Sequence, residues 1–113
     1  MANVVAVKNG TGSVGTTAET VSLTGLQNQV RVKNYHATQL LWVRVYTAAD
    51  NATALASATA TAAVAAANEN TLVPPGLSVV VFKSPRPSTV ALSVIGSAAA
   101  TTYSVDGTDW YTV

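Results

Sequence analysis

Cysteine is absent from the 113-residue chain, so no disulfide can staple the fold and no thiol can act as nucleophile or metal ligand. Charge is scarce. Six basic and five acidic residues make up 10% of the chain and leave a formal net charge of +1, where ordinary soluble domains carry roughly 25% charged residues. That balance offers no electrostatic footprint for nucleic acid or an anionic membrane. It is also a poor surface for a free monomer, which points to an exterior covered by protein partners; a neutral surface of Ser, Thr and Asn is the blander explanation. Long hydrophobic runs are missing as well. Nothing approaches the ~20 apolar residues of a membrane span, and Met1-Ala2-Asn3-Val4-Val5 lacks the basic and apolar regions of a secretory signal. The expected setting is therefore cytosol-like.

Catalytic groups are as sparse. His36 is the single histidine and sits in a turn sequence beside Tyr35, and one imidazole with five scattered carboxylates makes no metal cluster. Gly10-Thr11-Gly12-Ser13-Val14-Gly15 spells GxGxxG, but a dinucleotide site needs that loop to open a helix. Thr16 to Val21 is a poor helix and a fair strand, and Val30, Arg31 and Lys33 stand where a ribose-binding acid belongs. The segment reads as a loop or arm with no cofactor. Asp106 and Asp109 are close in sequence, yet Asp106 is accounted for by a turn and Asp109 points away from the aromatic side of the hairpin expected there. The expectation is a protein that is not an enzyme and binds no cofactor or metal.

What is present is strand pattern. Thr20 to Thr24 and Asn28 to Asn34 alternate with period two, with Val30 and Val32 on one face and Gln29, Arg31 and Lys33 on the other. Leu40 to Tyr46 carries Leu41, Val43 and Val45 on one side and Leu40, Trp42, Arg44 and Tyr46 on the other. Leu77 to Lys83 is apolar on both faces, the mark of a central strand. Thr89 to Ile95 alternates again, after a break expected at Ser84-Pro85-Arg86-Pro87. Val73-Pro74-Pro75-Gly76 is a turn, because proline fixes φ and glycine frees it. Asp106-Gly107 predicts a hairpin over 101–113 that would pair Tyr103 with Trp110.

The Ala-rich stretch after Asp50 has no helical stripe of large residues, since Leu55 and Val64 are far apart. Asp50 could cap one or two helical turns there. The fold expected is all-β: a small antiparallel β-sandwich, or a jelly-roll-like barrel, of about eight strands, with room for one short helix in 50–67. Residues 1–18 are expected as a flexible or extended N-terminal arm and 19–113 as the β-sandwich domain. Trp, Tyr and Arg are enriched at interface hot spots, so Leu40, Trp42, Arg44 and Tyr46 form the candidate interface. The competing expectation is that the Ala-rich segment covers this face within the monomer.

The order Val30-Arg31-Val32-Lys33-Asn34, Trp42-Val43-Arg44-Val45, an Ala/Thr-rich insert, Leu72-Val73-Pro74-Pro75-Gly76-Leu77-Ser78-Val79-Val80-Val81, Val90 to Ile95 and a closing hairpin at Asp106-Gly107 resembles small virion proteins of tailed bacteriophages. The likeness covers residues 28 to 113 and leaves out the Gly/Thr-rich N-terminus. It implies a low-charge β-sandwich serving as a capsid cement or decoration protein located in the virion and assembled in the host cytoplasm. The implied partners are the major capsid protein and further copies of the chain, with no nucleic acid and no membrane. A neck or tail component is the neighbouring alternative. A carbohydrate-binding module, stacking Trp42, Tyr46, Trp110 and Tyr111 on a host glycan, is the alternative from another class.

Overall fold

The computed structural model describes residues 10–60, 63–64 and 70–108. Its elements run β1 (Gly10–Val14), β2 (Glu19–Asn34), β3 (Leu41–Ala48), α1 (Asn51–Ala60), β4 (Thr71–Val73), β5 (Ser78–Gly96) and β6 (Thr101–Thr108). The strands are antiparallel and hydrogen-bonded in the order β1-β6-β2-β5-β3-β4. The chain is a small all-β sandwich with one short helix.

Two long strands make the sandwich. The C-terminal part of β2, Gln29 to Asn34, pairs with β6 on one side and with Ser78 to Lys83 of β5 on the other. Its N-terminal part, Glu19 to Leu23, pairs with Val90 to Val94 of β5, whose other edge takes β3. One layer is thus β1, β6 and half of β2 and β5; the other is the remaining halves with β3 and β4. The bend lies where the β2–β5 register slips, between Leu23 and Leu26, Gln27 and Gln29, and Val30 and Arg31. Extra residues there do what bulges do: they bend the strand and reverse which side chains face inward. Val21 and Leu23 face the core before the bend, and Val30 and Val32 after it. With them the core holds Val14, Leu41, Val43, Val73, Val90, Leu92, Val94, Tyr103 and Val105.

Several expectations change with this topology. About eight short strands become six among the described residues, because the segments at 20–24 and 28–34 are one strand, as are those at 77–83 and 89–95. Pro85 and Pro87 do not end β5; residues 84–87 have no partner in the β2 register, and an unpaired stretch is where a strand tolerates proline. Ser78 to Lys83 pairs only with β2 and leaves Val80 exposed. The fully buried part of β5 is 89–96 instead, since the core lies under one face and α1 over the other.

The hairpin expected at Asp106-Gly107 is not there. β6 runs straight through both residues, pairing Asp106 with Arg31 and Gly107 with Val30. Gly107 serves closeness: a Cβ there would stand 2.5 Å from Gln27 Oε1 and 2.7 Å from Leu23 Cδ2. Trp110 lies outside the described residues, and so does Asp109. Part of the expected arm of residues 1–18 is β1, paired with β6 in unbroken register from Gly10 to Val14; residues 1–9 lie outside the described residues. GxGxxG is therefore an edge strand followed by a strand. Gly12 is glycine because a Cβ would stand 2.8 Å from the Tyr103 ring.

The Pro-Gly turn is as expected. Leu77 N–H donates to Pro74 O at 3.2 Å with Gly76 at φ 73°, a type II turn with Pro75 and Gly76 in the positions those residues favour.

Candidate interaction face

β3 presents its alternate side chains to two different environments. Leu41 and Val43 are fully buried in the core, and Val45 packs against it. Trp42, Arg44 and Tyr46 are half-buried on the outer face. Leu40 precedes the strand and is tied to the turn after β5: its N–H donates to Ser97 Oγ at 3.0 Å and its carbonyl accepts from Ser97 N at 2.9 Å. The four candidate residues thus lie along one edge-to-centre track of the second layer.

The helix divides that track. Asp50 caps α1, accepting from Thr53 N–H at 2.7 Å through Oδ1. That bond to the Thr53 backbone, then a side-chain bond to Thr53, holds the carboxyl below its ordinary range. The helix lies against the sheet on Ala54 and Ala58, which are fully buried with Ala91; Tyr46 and Ala48 pack on this cluster. Residues four apart share one helix face, so alanine itself forms the stripe. Beyond the helix, Ala63 N–H donates to Ser93 Oγ at 2.8 Å. The Arg44 guanidinium stands 5.1 Å from the Tyr46 ring centroid, an arrangement that adds about 0.5–1 kcal/mol when exposed. At this end the Ala-rich segment covers β3 within the monomer.

The other end holds an exposed apolar side chain beside Trp42. Trp42 is the direct cross-strand partner of Ile95 on β5 and Leu72 on β4, and such partners share a face. Ile95 is buried, but Leu72 is 44% exposed. Arg44 is the single charged residue of β3, and α1 and β4 carry none. Half-buried Trp42 and exposed Leu72 therefore stand side by side in a region almost free of charge. Leu72 was not legible as part of it, because a three-residue strand leaves no alternation to read.

The loop leading into β3 is rigidly tied. Buried Asn34 donates through Nδ2 to Gln39 O at 2.8 Å and Val73 O at 3.1 Å, and its Oδ1 accepts from His36 N at 2.9 Å. His36 Nδ1 accepts from the backbone N–H groups of Thr38 and Gln39 at 3.0 and 2.9 Å, so the imidazole is occupied as a turn acceptor. Among the described residues no three His, Asp or Glu side chains gather where they could hold a metal ion. Asp106 stands opposite Arg31 on the outer face of the first layer. Of the aromatics a glycan site would use, Tyr46 packs under the helix, and Trp110 and Tyr111 lie outside the described residues.

No protein-family model matches the chain, and no curated protein sequence matches it. Among solved structures it is similar to chains of infectious bursal disease virus. The Gx strain chain is 13% identical with a TM-score of 0.34, over 96% of this chain and 30% of that one. The Gt strain chain is 12% identical with a TM-score of 0.33, over 95% and 32%. The chain spans about a third of the length of each.

Proposed function

We propose that the chain is a structural virion protein, a capsid cement or decoration protein that bridges neighbouring major capsid subunits of a tailed bacteriophage. The observation that carries this reading is the charge-poor end of the β3 face, where half-buried Trp42 stands directly across from exposed Leu72. The likeness of residues 28–113 to small phage virion proteins supports the same assignment. A chain with few charges grips by burial: fully burying one large apolar side chain contributes about 1.5–3 kcal/mol, before the cost of association. The location is the virion, reached by assembly in the host cytoplasm, and the work done is attachment without chemistry.

The experiment pairs Trp42→Ala with Leu72→Ser and measures, for each, thermal stability and binding to particles stripped of the chain. If the region is a hot spot, Trp42→Ala weakens attachment by about 2 kcal/mol or more, roughly 30-fold. Leu72→Ser weakens it too while leaving the melting temperature within a few degrees, because Leu72 is already 44% exposed. Normal binding by both folded variants removes this face from the account.

A further inference from the structure

Among the described residues the open edges include β1, β4, the Ser78 to Lys83 stretch of β5 and the N-terminal half of β2, and the last three carry features that discourage pairing. β4 is three residues long and runs into Pro74-Pro75. The edge of β5 at Ser78 to Lys83 skips Val81 in its register, carries Lys83 and leads into Pro85 and Pro87. The N-terminal edge of β2 carries Glu19 and the slip between Leu23 and Leu26. Short length, lysine, proline and bulges are the devices by which proteins keep edges from pairing with other chains. β1 has none of them. It pairs with β6 residue for residue from Gly10 to Val14, contains no charge and no proline, and ends the strand order, with nothing paired to its far side among the described residues.

We infer that the β1 edge pairs with β1 of a second copy of this chain, antiparallel about a two-fold axis at Gly12, joining two first layers into one continuous sheet. The strand is self-complementary in that register. Gly12 meets Gly12, Ser13 stands opposite position 11, and Val14 opposite position 10, so no charges confront each other. Gly12 already lies against the Tyr103 ring with no room for a side chain, which leaves the centre of the seam bare backbone. Main-chain hydrogen bonds then supply the affinity, as in other strand-addition contacts. The inference rests on the reading that the chain works by assembling with protein surfaces, and it names one of those surfaces.

The test is the self-association of the full chain in sedimentation, with two variants. The wild type is expected to sediment as a dimer in the micromolar range. Ser13→Lys places a lysine on the exposed edge and is expected to weaken dimerisation at least tenfold without changing the melting curve of dilute protein. Thr11→Cys combined with Ser13→Cys, in a chain without cysteine, is expected to lock a covalent dimer on oxidation, and that variant reports even if the lysine disturbs folding. A wild type that stays monomeric, a dimer indifferent to Ser13→Lys, or a double variant that never cross-links overturns the inference. A monomer that still binds particles leaves the virion reading standing, whereas a β1-linked dimer that never enters particles removes only that reading.

Discussion

The Tyr103 hydroxyl donates to Glu19 Oε1 at 2.8 Å across 84 residues of sequence. Tyr103 belongs to β6 in one layer, where it pairs with Asn34, and Glu19 opens β2 in the other, where it pairs with Val94. The bond thus ties the two layers together at the end where β1 closes over the ring. Burial first, then the hydrogen bond and charge of Glu19, pushes the Tyr103 phenol well above its ordinary value of 10.0.

That shift fixes a pH dependence. The folded protein holds the phenolic proton more tightly than the unfolded chain, so the contribution is complete below about pH 10 and is lost as pH rises above it. Tyr103→Phe is expected to cost about 1 kcal/mol at neutral pH for the lost hydrogen bond and to flatten the fall in melting temperature above pH 10. Melting curves of both proteins between pH 9 and 11.5 check this; equal slopes would contradict it.

Gly107 gives a second prediction, one that separates a strand from a turn. In β6 its neighbours are Gln27 Oε1 and Leu23 Cδ2 at less than 3 Å from any added Cβ. Gly107→Ala is therefore expected to destabilise by about 1–3 kcal/mol through overpacking, read as a lower urea midpoint. Were Asp106-Gly107 an exposed turn, a substitution that fails to shift the midpoint would be the result.

The layers were legible in the residues and the connections were not. Alternation at Val21/Leu23, Val30/Val32 and Leu41/Val43 marks core faces correctly, because a half-buried strand must alternate. The change from odd to even core positions between Leu23 and Val30 already holds the bend, but alternation alone does not tell one bent strand from two. Asp106-Gly107 misleads because glycine serves close approach as well as turns; the chain actually turns at Ser97 to Ala100, where Ala100 takes φ 64° in a region that glycine or asparagine usually fills. Helix α1 is longer than one or two turns. Its buried stripe, Ala54 and Ala58, is made of residues too small to stand out from an Ala-rich background. On the candidate face, Trp42, Arg44 and Tyr46 share a side as alternation requires. What divides them, a helix over Tyr46 and an exposed Leu72 beside Trp42, depends on contacts distant in sequence.

The most direct test of the central claim is the number of copies of this chain in purified phage particles, measured by quantitative mass spectrometry against the major capsid protein. The account predicts a fixed, symmetry-related ratio of many copies per particle. Particles that lack the chain, or hold it in scattered substoichiometric amounts, would contradict a role in clamping capsid subunits.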